Sequence, residues 1–254
     1  MRNQVTWLAP KSDDGVLERS FALGVSGTIV PGILWLPADP GPSLPLVLLG
    51  HGGSGHKRSS RNLELSRWFA KEAGMASMAI DGPYHGERVI SPLGPGAYQD
   101  LIRTEGIDVV VDRMVRDWRA ALDVMATVRS LDTAALGYVG HSMGTRFGVP
   151  LASVLGDDLR CAVFGKFGLV QAAGLYEGTD MTDRLTADAG QVSAPTLLHV
   201  QWDDELFPRE GQFALFDALG ASDKQMIAYP GGHRDLNPMA PVHWRSFIAR
   251  FLAR

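Results

Sequence analysis

Cysteine is almost missing from this chain of 254 residues: Cys161 stands alone. No disulfide can form within the chain, which fits a reducing compartment. Its neighbours Leu159, Ala162, Val163 and Phe164 are apolar, so Cys161 reads as a buried strand residue. Long apolar runs are missing too; none approaches the ~20 residues that a membrane span needs. No basic block or stripe is present and the formal net charge is -4. Neither a membrane nor nucleic acid is therefore an expected partner. Residues 1–7 hold no apolar stretch of the secretory kind, so a cytoplasmic location is expected. Internal repeats and low-complexity tracts are absent. What remains is ordinary for a globular chain, 45% hydrophobic and 20% charged, with a length that suits one α/β domain spanning 1–254.

The apolar pattern predicts an antiparallel pair over 19–24 and 29–36, inside an N-terminal group of strands that ends near residue 43. The run Pro37-Ala38-Asp39-Pro40-Gly41-Pro42 is a turn after it. From there strands and helices alternate. Strands are expected over 44–49, 75–80, 134–139, 161–164, 196–200 and 225–229. Helices are expected over 58–73, 107–128, 145–155, 210–219 and 242–252. Alternation of this kind means βαβ units, hence a mostly parallel central sheet of about eight strands with helices on both faces. Residues 88–106 are rich in Gly, Pro and Ser and read as a long loop over the sheet edge. Residues 165–190 read as a small lid.

In such a sheet, ligands bind beyond the carboxyl ends of the strands. Chemistry-bearing residues stand there repeatedly. His51-Gly52-Gly53-Ser54-Gly55-His56 follows the 44–49 strand, and its glycines let backbone N–H groups approach a ligand. Asp81-Gly82-Pro83-Tyr84-His85-Gly86-Glu87-Arg88 follows the next strand. Gly140-His141-Ser142-Met143-Gly144 follows 134–139. Asp203-Asp204-Glu205-Leu206-Phe207-Pro208 lies just past 196–200, and Pro230-Gly231-Gly232-His233 just past 225–229. A serine between two glycines at a strand-to-helix junction is a nucleophile elbow, in which a tight turn lifts the hydroxyl clear of the sheet. An isolated Gly-x-Ser-x-Gly says little in a chain with 29 Gly; the context gives it weight.

Taken together these motifs resemble the α/β-hydrolase family, on the branch of serine esterases and dienelactone-hydrolase-like proteins. The resemblance runs from about Pro45 to Arg254. His51-Gly52-Gly53 is similar to the oxyanion loop, Asp81 to Arg88 to the following post-strand turn, and Asp204 to Pro208 to the acid turn. The chain departs from dienelactone hydrolases proper in carrying Ser in place of Cys at the elbow. The resemblance implies an α/β-hydrolase fold and the family order of Ser, then Asp, then His.

The chemistry follows from the residue types. Ser142 is the expected nucleophile, His233 the base that takes its proton, and Asp204 the carboxylate that orients the imidazole. Asp203 is held in reserve for that last role. The oxyanion donors are expected to be the backbone N–H groups of Met143 and Gly53, with Ser54 next. Pocket candidates are Ser54, Tyr84, His141, Phe167 and Trp202; Tyr98 and Tyr176 add to an expected apolar wall. His199, inside a strand, reads as a core histidine. Asp81, His85, His51 and His56 lack the spacing of a metal motif and read as loop buttresses. No metal or cofactor is therefore expected. The predicted reaction is hydrolysis of a small carboxylic ester through an acyl-serine intermediate. Lactone, thioester or amide hydrolysis and acyl transfer remain open on the same triad, as does a non-enzymatic small-molecule sensor on the same scaffold.

Overall fold

The computed structural model describes residues 4–172 and 177–253. Strands β1 (Gln4–Trp7), β2 (Lys11–Asp13), β3 (Val16–Val25) and β4 (Thr28–Pro37) form an antiparallel group. The parallel part contains β5 (Leu44–Gly50), β6 (Ala76–Ile80), β7 (Leu131–Gly140), β8 (Leu159–Gly165), β9 (Thr196–Gln201) and β10 (Lys224–Tyr229). One sheet joins them in the order β1-β3-β4-β6-β5-β7-β8-β9-β10, with β2 paired to β3. The antiparallel β4–β6 pairing is the seam. Every pairing beyond it is parallel.

The sheet has two more strands than the sequence pattern suggests. Both are β1 and β2, short polar pieces on the edge whose residues are exposed or partly so. They carry no periodic apolar signal because they bury little.

Helices α1 (Ser60–Glu72), α2 (Pro95–Glu105), α3 (Ile107–Met125), α4 (Met143–Leu155), α5 (Thr182–Gln191), α6 (Arg209–Ala218) and α7 (Ala240–Leu252) cover the two faces. Alternate residues of one strand feed opposite cores, as the pleat requires. Val47 and Leu49 of β5 meet Leu65 and Phe69 of α1 and Trp244 and Phe247 of α7. Leu46 and Leu48 face the larger core, with Trp118 of α3, Phe147 of α4, Leu185 of α5 and Leu215 of α6. Strands β5, β6 and β9 are buried along their whole length, which is why they read as unbroken apolar runs.

The 88–106 segment is not an irregular loop, because Pro95–Glu105 is helix α2. The Gly and Pro that look like breakers are its punctuation. Gly94 is the N-cap, Pro95 opens the first turn, and Gly106 ends the helix at φ 96, a backbone that only glycine takes easily. Its two buried apolar side chains, Tyr98 and Ile102, are four residues apart, too few for the periodicity to stand out. Within 165–190, residues 182–191 are helix α5 packed on α4, and residues 173–176 lie outside the described part.

Candidate active site

The elbow is built by steric exclusion. Ser142 holds φ 58 and ψ -121, outside the ordinary regions for a side-chain-bearing residue. A Cβ on Gly144 would come 2.9 Å from the Gly50 carbonyl oxygen, and one on Gly140 would come 2.7 Å from that of Gly144. Both positions therefore require glycine for β5, β7 and α4 to meet. The Ser142 N–H donates to the Gly165 carbonyl at 2.9 Å, tying the elbow to β8. The buried Tyr138 hydroxyl donates to Gly144 O at 2.6 Å from below.

Three strand ends then converge. Ser142 Oγ lies 3.0 Å from His233 Nε2, and His233 Nδ1 lies 2.8 Å from Asp204 Oδ2. Asp204 is an acceptor only, so Nδ1 carries the ring proton and Nε2 is free to accept from the serine hydroxyl. The other Asp204 oxygen takes the N–H groups of Leu206 and Phe207, each at 2.9 Å. The carboxylate is thus buried and fixed. Its neighbour Asp203 is exposed and, among the described residues, accepts only the Gly231 N–H, at 3.1 Å; it pins the loop and does not reach the imidazole. The loop is held further by Glu205, which accepts the His233 N–H at 2.8 Å, and by Lys166, whose Nζ donates to the His233 carbonyl at 3.1 Å and to that of Asp235.

Across from the elbow, the glycine loop is fixed by the histidines that follow the strands. His51 Nε2 accepts the Gly82 N–H at 2.9 Å, so its Nδ1 carries the proton, 2.9 Å from Gly52 O. His85 Nε2 lies 2.9 Å from Gly53 O. Gly53 packs against Tyr98 so closely that a Cβ would sit 2.1 Å from the phenol oxygen. Its N–H finds no acceptor among the described residues. Met143 opens α4, and the N–H of a first helical residue has no acceptor within the helix. Asp81 does not join a metal cluster. It takes the Lys57 N–H at 2.8 Å, Lys57 Nζ at 2.7 Å and the Glu87 N–H at 2.9 Å. Among the described residues no group of His, Cys, Asp or Glu is arranged to hold a metal ion, and no helix is long and apolar enough to cross a membrane.

A cavity of about 860 Å³ opens over Ser142 and His233, lined also by Gly52, Gly53, Ser54, Arg61, Tyr98, Gln99, His141 and Lys166. Of the five pocket candidates, Ser54 and His141 line it. Tyr84, Phe167 and Trp202 do not, which corrects the expectation of an apolar wall. Tyr84 turns to Glu105 and lies under Arg113. Phe167 is buried on Phe207, with ring centroids 4.4 Å apart. Trp202 packs on Phe213 beneath Arg209. Tyr176 lies outside the described residues. The wall mixes polar and apolar surface, and α2, absent from the sequence reading, supplies Tyr98 and Gln99 to it.

No family model and no curated protein matches the chain. Among solved structures it is similar to a cold-adapted esterase from an Arctic intertidal metagenomic library, in a PEG-bound complex. The two share 32% identity over 97% of this chain and 99% of that one, with a TM-score of 0.84. The chain belongs to the α/β-hydrolase family, in its esterase and dienelactone-hydrolase-like branch. The fold of this hydrolase also matches an acetyl xylan esterase from Paenibacillus sp. R4, at 20% identity, 98% and 89% coverage and TM-score 0.74. A dienelactone hydrolase from Anabaena variabilis matches at 18% identity, 99% and 97% coverage and TM-score 0.62.

Beneath the elbow the hydrolase buries a neutral imidazole stack. His199 accepts the Trp244 Nε1–H at Nδ1, 3.2 Å away, and its Nε2 faces Gln201 Oε1 at 3.1 Å. The His141 ring lies 4.0 Å from that of Trp244. Burial lowers His51 to about 3 and His199 to about 4, and holds His141 well below its ordinary value. In the unfolded chain all three titrate near 6.5. Below that pH the unfolded chain takes up protons that the folded one refuses, so the stability they contribute is complete above pH 6.5 and drains as pH falls towards 4 and then 3. The unfolding free energy from urea titrations should fall steadily once the pH drops below about 6.5, by roughly 1 kcal/mol per pH unit for each histidine involved. His199→Gln should flatten part of that slope.

Proposed function

We propose that this chain hydrolyses small carboxylic esters through an acyl-serine intermediate. Ser142 Oγ attacks the ester carbonyl while His233 Nε2 takes its proton. The tetrahedral oxyanion is held by the N–H groups of Met143 and Gly53, whose freedom from other acceptors suits them to it. The imidazolium, steadied by Asp204, returns the proton to the leaving alkoxide, and the alcohol departs. A water then gives its proton to His233 and attacks the acyl-serine. Collapse of the second intermediate returns the proton to Ser142 Oγ and releases the acid.

One observation carries the reading: the unbroken line from Ser142 Oγ to His233 at 3.0 Å and on to Asp204 at 2.8 Å. A hydroxyl at a strained crest, a ring in the accepting tautomer and a buried carboxylate with two further N–H donors serve little purpose in a sensor. The esterase named among the similar structures favours esters over amides and thioesters as the first class to try. Purified protein assayed on short-chain aryl esters, with matched lactones, thioesters and anilides, should turn over the oxygen esters fastest. Turnover confined to anilides or thioesters would replace the ester reading. Loss of turnover on chelation would replace the mechanism.

A further inference from the structure

The cavity over Ser142 holds a cation that no carboxylate answers. Arg61 extends from the first turn of α1 into the same wall as Gly52, Ser142 and Lys166. Among the described residues its one hydrogen bond runs from Nη2 to the Gly50 carbonyl, at a long 3.3 Å. It makes no ion pair among the described residues, and its remaining N–H groups are not sealed in the core. Burial lowers it to about 10, and no carboxylate offsets that shift. Its own burial, and after that the repulsion of nearby Arg61, bring Lys166 down to about 8. Its ammonium has three donors, and two of them serve the loop carbonyls.

Among the described residues no carboxylate of the neighbourhood pairs with Arg61. Asp204 is taken by His233 and two backbone N–H groups. Asp100 pairs with Arg103 at 2.7 Å on the rim, and Glu177 is exposed on the rim. Asp204, Asp235 and Glu205 pull on Lys166 at a distance but none forms an ion pair with it. A chain of net charge -4 therefore concentrates positive charge beside its nucleophile. An uncompensated cation in a half-buried wall is costly, and a planar guanidinium with free donors is shaped to receive a carboxylate in two-point contact.

We propose that the ester hydrolysed here carries a carboxylate, which Arg61 binds in the cavity wall beside Ser142 while the ester carbonyl lies against the Met143 and Gly53 N–H groups. The inference rests on the ester-hydrolase reading above. Arg103, paired with Asp100, and Arg234 stand exposed at the rim of the same cavity; within the wall, Arg61 with its neighbouring ammonium, partly offset by Asp204, matches one negative charge better than a phosphate dianion. Lys166 adds its third donor or its field.

The test compares charged and neutral esters of matched size. One pair puts the charge on the acyl side: the para-nitrophenyl half-ester of glutaric acid against para-nitrophenyl pentanoate. The other puts it on the alcohol side: meta-carboxyphenyl acetate against phenyl acetate. In at least one pair the charged member should have a kcat/KM higher by roughly tenfold or more, the scale of one charge-assisted contact. That preference should shrink as salt rises from about 0.01 M to 1 M. Arg61→Gln should bring the ratio close to one, and Arg61→Lys should restore part of it. A wild-type ratio of one or below in both pairs overturns the proposal, as does a ratio that Arg61→Gln leaves intact. Should Arg61→Gln not fold, the wild-type ratio and its salt dependence decide alone. Failure to cleave any of the four esters removes the hydrolase reading itself, an outcome distinct from cleavage without a preference for charge.

Discussion

Ser142→Ala should lower kcat on a short-chain aryl ester by roughly a millionfold while leaving the fold in place. The magnitude follows from removing the only atom able to form the acyl-enzyme. What survives is the oxyanion hole and substrate binding, worth roughly a thousandfold over water. The fold should tolerate the change because, among the described residues, Ser142 Oγ bonds only to His233, and the serine already sits at φ 58, a position no harder for alanine. Thermal midpoints of the two proteins should agree within a few degrees. Comparable loss of structure and activity would mean that the serine is a structural element of the turn and not the nucleophile.

Asp204→Asn should cost roughly ten-thousandfold in kcat. The two N–H groups of Leu206 and Phe207 will keep the amide oxygen on their side, since both already donate to one Asp204 oxygen. The amide NH₂ then faces His233 Nδ1. Two donors cannot share that contact, so the ring proton moves to Nε2, where the ring can no longer accept from Ser142. Asp203→Asn should change kcat by no more than a few-fold, because Asp203 meets only the Gly231 N–H at the exposed surface. A larger effect from Asp203 than from Asp204 would reverse the assignment of the two acids. The pair of variants also separates tautomer control from general loop damage, as both are adjacent, isosteric and of the same charge change.

The parts of this site that could be read from the sequence are those where backbone geometry leaves one choice of residue. Gly140 and Gly144 are forced by carbonyls within 3 Å of any added Cβ, so the elbow is written in the chain as Gly-x-Ser-x-Gly. The buried parallel strands were legible as apolar runs because both faces are covered. Side-chain direction was not legible. Tyr84, Phe167 and Trp202 lie near strand ends, as a pocket residue should, yet each points to a packing partner elsewhere. Helix α2 was hidden because its ends are marked by the residues that usually mark loops. Arg61 gave no signal at all: an arginine in the first turn of an amphipathic helix is ordinary until the fold turns that turn towards a cavity.

Ser142 should become covalently modified when the protein is treated with an aryl organophosphonate, and intact-protein mass spectrometry reads that adduct. One adduct per chain should form, with loss of esterase activity in parallel, and peptide mapping should place it on Ser142; Ser142→Ala and His233→Ala should remain unmodified under the same conditions. An adduct at another residue, or inactivation that proceeds unchanged in Ser142→Ala, would contradict the mechanism.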